Sequence, residues 1–290
     1  GQFDDARMIM CFLRETIARG GVAANYADVV ALAKENGRVR GAEVIDRETG
    51  RSLRVNARAV LNATGVFIDQ IARLDQPAEP ERIAASQGSH LVLDASFLGG
   101  ASALMIPKTS DGRVLFAIPW HGRTLYGTTD TPVARIDADP QPLDGEIEYL
   151  LDHARHIFAR PPTRADVIAS FAGLRPLPKP RRGQRSSAVS RDFKIDVAPS
   201  GLVSIYGGKW TTCRAMGEAA VERALAVAGL APRPSRTREL VFTPGQEPAS
   251  HLEPPSAAWT RYAIEHEMAR TTDDLLLRRC RVGILNPPEK

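Results

Sequence analysis

Cysteine is scarce in this 290-residue chain: Cys11, Cys213 and Cys280 are the only three, and they lie far apart. So few and so scattered, they exclude a disulfide framework and a cysteine metal site, and they suit a reducing compartment. No apolar run approaches the ~20 residues that a membrane-spanning helix needs, so any contact with a membrane would be peripheral. No pair among the six histidines has metal-ligand spacing on one face. No nucleic-acid-binding motif accompanies the small basic excess, a net charge of +4 with a pI near 9.1, which suits an anionic ligand or an acidic surface instead. The glycine fingerprint Gly-x-Gly-x-x-Gly, which opens dinucleotide-binding folds, occurs nowhere in the sequence. What remains is the composition of a globular protein, 43% hydrophobic and 25% charged, long enough for one large or two ordinary domains.

The densest chemistry lies between Ser170 and Arg214. Phe171 to Leu177 predicts a short buried strand ending at Pro176, which places Arg175 where regular backbone stops. Asp192 to Ala198 and Leu202 to Tyr206 predict a hairpin around Pro199-Ser200-Gly201, with Arg191 at its opening. It runs into Gly207 to Thr212 (GGKWTT), a glycine turn ahead of a helix over about Thr211 to Ala228, whose first amides suit a phosphate or a flavin carbonyl. Arg181, Arg182 and Arg185 read as a solvated loop. Arg175 and Lys209 are set among apolar strand residues and a glycine turn, where a charge needs a partner.

Earlier in the chain, Asp4 to Arg19 has apolar residues at helical spacing and stops at Gly20-Gly21. Val22 to Leu32 predicts a strand, and Val39 to Asp46 with Ser52 to Ala57 a hairpin closed by Glu48-Thr49-Gly50. Ala59 to Leu61 predicts a strand running into Asn62 to Gly65 (NATG), a small-residue turn that lets backbone approach a ligand closely. From Ile83, short alternating strands over His90 to Asp94, Ala103 to Pro107, Val114 to Pro119 and Thr124 to Gly127 predict an antiparallel meander. An amphipathic helix over Glu146 to Phe158 follows. His90 begins a strand after Ser86-Gln-Gly-Ser, as ready for a structural bond to a carbonyl as for chemistry. His121 is ambiguous, His153, His156, His251 and His266 read as surface residues, and Asp130, open to a catalytic reading, reads first as a turn or capping residue.

Taken together, NATG at Asn62, SQGSH at Ser86, ALMIPK at Ala103, FAIPWHG at Phe116, GTTDTP at Gly127, AGLRP at Ala172, SRD at Ser190 and GGKWTT at Gly207 resemble the FAD-dependent glycerol-3-phosphate dehydrogenases, in the family's order. The resemblance implies an α+β fold. A partial FAD/NAD(P)-binding domain of glutathione-reductase-like, amine-oxidase type would occupy 1–82 and return over 196–230. An antiparallel substrate-binding domain would lie between, over 83–195, and a linker with a short C-terminal helical segment over 231–290. It implies FAD as cofactor, contacted by Val29, Ala63, Thr64, Gly65, Gly208, Lys209, Trp210 and Thr211. It also implies oxidation of sn-glycerol 3-phosphate to dihydroxyacetone phosphate, with Arg175 and Arg191 on the phosphate, Lys209 between flavin and substrate, His90 taking the C2 hydroxyl proton, and electrons passed to a membrane quinone. A cytoplasmic enzyme, peripheral on the inner face of the membrane and forming a homodimer, is the matching expectation. The family carries the glycine fingerprint upstream of the segment matching Gly1, so the chain is expected to lack the first βαβ unit and, alone, to hold no tight FAD and be inactive. Two alternatives stay open: a related FAD amine or amino-acid oxidase, and a non-catalytic fragment that binds a phosphorylated ligand or a partner.

Overall fold

The structure, a computed structural model, describes residues 4–179, 192–243 and 245–288. Arg191, with Arg181, Arg182 and Arg185, lies outside the described residues.

Helix α1 (Asp5–Ala18) starts where Asp4 accepts from the amides of Ala6 and Arg7, and Gly20, at φ +85°, follows its end. Strand β1 (Ala27–Glu35) begins later than the alternation over Val22 to Leu32 predicts. The reason is tertiary: Tyr26 takes φ +53°, its hydroxyl donates to Asp274 at 2.9 Å, and Asn25 donates to the Met268 carbonyl at 2.7 Å, which holds this stretch against the C-terminal region. Strands β2 (Arg38–Asp46) and β3 (Ser52–Asn56) form the expected hairpin, and β1 pairs with β2 to complete a three-stranded antiparallel sheet. Then come β4 (Leu61–Asn62) and α2 (Ile68–Asp75).

The central sheet is antiparallel. Strands β5 (Ile83–Asp94), β6 (Leu104–Ile106), β7 (Leu115–Trp120) and β8 (Arg123–Gly127) form the meander, with β9 (Thr131–Val133) against β5. Helix α3 (Asp144–Ala154) covers one face, and Leu91, Leu93, Leu115, Ala117 and Tyr126 meet Ile147, Leu150, Leu151, Ala154 and Phe158 in the main core. Strand β10 (Ala169–Pro178) pairs with β5 along its whole length, two residues past the predicted stop at Pro176. It is the edge strand, so Pro176 and Pro178 need no outer hydrogen-bond partner and the strand continues through them. Arg175 is therefore mid-strand, opposite Ser86.

Strands β11 (Phe193–Val197) and β12 (Val203–Gly207) make the predicted hairpin, and β12 pairs in parallel with β4. The 195/196 boundary falls inside β11, which belongs to this third sheet. Helix α4 (Cys213–Val227) follows the glycine turn, and α5 (Ala257–His266) and α6 (Val282–Leu285) end the chain. The C-terminal part is tied back to α1: the buried Glu267 carboxylate accepts from Arg7 at 2.7 Å and from Arg14 at 3.4 Å. No helix among the described residues is long and apolar enough to cross a membrane.

Candidate functional site

Alternate residues of a strand face opposite sides of a sheet, and β5 uses both sides for polar work. On the side away from α3 its Ser86, Gly88 and His90 lie opposite Arg175, Gly173 and Phe171 of β10. Two adjacent glycines thus form a floor without side chains, which leaves room for Arg175, rooted at one end, to lie over Gly88 toward the aromatic pair at the other. His90 stacks on Phe171, with ring centroids 5.4 Å apart and planes 16° apart. On its other flank is Gly127 of β8, where an added Cβ would lie 2.5 Å from the His90 ring. Burial first, and then the nearby Arg175 charge, push the His90 imidazole down to about 4, so it is neutral at physiological pH, its basic nitrogen unprotonated but its basicity weakened.

Arg175 reaches along this face over Gly88, donating to the Thr129 carbonyl at 3.1 Å and the Thr128 hydroxyl at 2.9 Å. Asp130 lies 3.7 Å from the same guanidinium and accepts from the Ser86 hydroxyl, a structural task in keeping with its place in the turn. Guanidinium has five N–H donors, so these contacts orient Arg175 and leave donors for an anion above the floor. The side chain is 37% exposed.

A second group forms where β4 and β12 run side by side. Their pairing sets Asn62 against Ser204 and so brings the Ala63-Thr64-Gly65 turn next to the segment leading into Gly208, Lys209, Trp210 and Thr211. Buried Asn62 donates to the Ile68 carbonyl at 2.9 Å and accepts from Thr64 at 2.7 Å, which fixes the turn. Gly207 and Gly208 have φ of +75° and +77°, and a Cβ on Gly207 would stand 2.6 Å from Pro178 at the end of β10. That contact brings the glycine turn to within about three residues, or ~10 Å along the strand, of Arg175. Lys209 is exposed and has no ion-pair partner among the described residues; the partner expected for a charge set among apolar residues is not found there. Trp210 is 38% exposed, its ring edge-on to Phe12. Val29 is not brought to this group: it sits half-exposed on the separate β1–β2–β3 sheet, at an irregularity in pairing.

Three contributors went unread in the sequence. Gly88 and Gly127 carried a signal, since glycine within a strand pattern marks close approach of another group. Glu146, in the first turn of α3, carried none. His251, expected at the surface, is half-buried and lies against His121 with centroids 3.7 Å apart and planes tilted by 34°. A surface hollow lined by Glu35, Arg40, Arg54, Asn56, Ala57 and Arg58 lies on the three-stranded sheet, and none of these groups lines it. Among the described residues no cluster could hold a metal ion.

The depressed imidazole gives a stability test. Between pH 6.5 and 4 the unfolded chain binds a proton at His90 that the folded chain refuses, so stability present above pH 6.5 is lost as pH falls through this window. The difference in thermal midpoint between pH 7 and pH 5 is expected to be smaller in His90→Gln than in the parent. Parallel declines in the two proteins would mean that His90 is not buried in its neutral form.

The family described as FAD dependent oxidoreductase matches residues 1–223. A probable mitochondrial glycerol-3-phosphate dehydrogenase of Caenorhabditis elegans is 39% identical over 249 residues, 84% of this chain and 34% of the relative. The mitochondrial glycerol-3-phosphate dehydrogenase of Homo sapiens is 36% identical over 255 residues, 85% of this chain and 35% of the relative. The chain thus spans about a third of the length of the curated relatives it matches. Among solved structures, the glycerol-3-phosphate dehydrogenase of Bacillus halodurans complexed with FAD superposes with a TM-score of 0.72 at 34% identity, covering 81% of this chain and 45% of that one.

Proposed function

The chain belongs to the FAD dependent oxidoreductase family, and from that premise we propose that its glycine-floored sheet face takes part in oxidising sn-glycerol 3-phosphate to dihydroxyacetone phosphate. The observation that carries this reading is the juxtaposition on one face of an oriented guanidinium, lying over Gly88 with spare donors, and the neutral imidazole of His90.

The residues around the glycine turn fit the family's cofactor. Gly207 and Gly208 hold conformations that side chains rarely adopt, Gly65 at φ +58° has open space where a Cβ would stand, and Lys209 offers beside them a cation with no ion-pair partner among the described residues. Ala63, Thr64 and Gly65 with Gly208, Lys209, Trp210 and Thr211 would hold FAD, which supplies a two-electron acceptor for a substrate carbon. Lys209 would stabilise negative charge on the reduced ring. Arg175 binds the substrate phosphate through the donors that Thr128 and Thr129 leave free, a pairing that guanidinium geometry favours. Arg191 is proposed as its second cationic partner. His90, neutral and flanked by Phe171 and Gly127, accepts the proton of the C2 hydroxyl as that carbon is oxidised. Val29 is proposed to meet the adenine end.

Onward transfer of electrons to a membrane quinone, peripheral attachment at the cytoplasmic face of the membrane and a homodimer complete the proposal, supported by the resemblance and the modest net positive charge of +4. The 290-residue chain alone is expected to bind FAD weakly, because no Gly-x-Gly-x-x-Gly for the pyrophosphate is among its residues.

The substrate assignment is tested with the flavin-loaded enzyme on glycerol 3-phosphate, glycerol and glycerate. Turnover of the phosphorylated substrate is expected to exceed that of the other two by at least about a hundredfold in kcat/KM, on the scale of a charged site rejecting an analogue that lacks its partner. Preference for the carboxylate would favour the amino-acid-oxidase reading instead.

A further inference from the structure

We propose that Glu146, behind the sheet, positions Arg175 on its front through Thr129, an inference that rests on the reading of Arg175 as the holder of the phosphate. Glu146 is buried, 4% exposed, at the start of α3. Its Oε2 accepts from Gln87 Nε2 at 2.7 Å, Ser89 Oγ at 2.6 Å and the Leu143 amide at 3.0 Å, while Oε1 accepts from Thr129 Oγ1 at 2.8 Å. An ionised carboxylate has about four acceptor positions, and here every partner is a donor. Burial pushes this carboxyl up, and the donors, Ser89 and the Leu143 amide foremost, outweigh it and hold it at about 2, so it stays charged throughout any ordinary assay.

Thr129 is fixed from both sides. Its hydroxyl gives its one proton to Glu146 and accepts the Ser89 amide at 2.9 Å, and the residue is only 1% exposed. With the side chain held in this way, the Thr129 carbonyl meets Arg175 at 3.1 Å. Thr128 reinforces it, accepting from Arg175 at 2.9 Å while donating to the same carbonyl at 3.3 Å. The route therefore passes from a charge on the α3 side of β5, around the 128–129 turn, to the guanidinium over Gly88. Glu146 touches no reacting atom; it is a positioning residue.

The chemistry of the cage makes Glu146→Gln a selective test. Gln87 Nε2 and the Leu143 amide can only donate, so the new side-chain oxygen must stay at the Oε2 position and the new nitrogen must face Thr129. The Thr129 hydroxyl then loses its acceptor and has to turn, while the contacts with Gln87, Ser89 and the Leu143 amide are kept. Thr129→Val removes the same link without touching Glu146. In the flavin-loaded enzyme, the ratio of kcat/KM for glycerol 3-phosphate to that for glycerol is expected to fall about tenfold in either variant, the scale of one misplaced charge-assisted hydrogen bond. In an Arg175→Ala background Glu146→Gln should change the ratio no further, because the two act on one contact. A merely structural role would lower both substrates' kcat/KM equally and leave the ratio where it was. Loss of selectivity in Arg175→Ala with full selectivity in both Glu146→Gln and Thr129→Val overturns the positioning role alone. Unchanged selectivity in Arg175→Ala itself overturns the phosphate reading and this proposal with it.

Discussion

Replacing Arg175 by alanine is expected to lower kcat/KM for glycerol 3-phosphate by about 2 kcal/mol or more, roughly thirtyfold, the loss typical of a desolvated charged hydrogen bond. The guanidinium is held over the floor by Thr128 and Thr129, so its position is set before any ligand arrives and little ordering entropy is left to lose on binding. Most of the loss should appear as a higher KM if the phosphate is gripped equally in ground and transition states. Turnover of glycerol, which has no phosphate to grip, should change far less. A uniform loss on both substrates would show that Arg175 serves the fold and not the phosphate.

Gly88→Ala is expected to reproduce that loss by steric means alone. An added Cβ would stand 2.2 Å from one guanidinium nitrogen of Arg175, 2.6 Å from its Cζ and 2.7 Å from the other nitrogen. All three atoms are the far end of one flexible side chain, and Gly88 does not use a left-handed backbone, so β5 can keep its pairing while the guanidinium swings out. The fold should survive with a thermal midpoint near the parent's, and selectivity for the phosphorylated substrate should drop to the level of Arg175→Ala. Gly127→Ala makes a useful contrast. There the Cβ would lie 2.9 Å from the Ser89 carbonyl oxygen as well as 2.5 Å from the His90 ring, and backbone cannot swing aside. A Gly88→Ala enzyme with undiminished selectivity would mean that the guanidinium works elsewhere.

Much of the fold was legible because local signals and tertiary demands agree. The β2–β3 and β11–β12 hairpins turn at Gly50 and Gly201, with φ of +69° and +87°, where turn chemistry marks them. Arg175 stood out as a charge within an apolar strand. Errors arose where distant segments decide. Pro176 reads as a strand stop, but an edge strand has no second neighbour to deprive of an N–H. Val22 to Tyr26 reads as strand, but Asp274 and Met268, more than 240 positions away, hold Tyr26 and Asn25 out of the sheet. Glu146 was illegible for the same reason. On a helical wheel it is one more acid in a first turn, and its meaning comes from Gln87, Ser89 and Thr129, which only the sheet gathers around it.

The most direct test is a crystal structure of the flavin-loaded enzyme soaked with glycerol 3-phosphate under conditions that prevent turnover. Phosphate oxygens within hydrogen-bond distance of the Arg175 guanidinium, with the C2 hydroxyl directed at His90, are the expected result. A phosphate bound elsewhere, with Arg175 still engaged only by Thr128, Thr129 and Asp130, would contradict it.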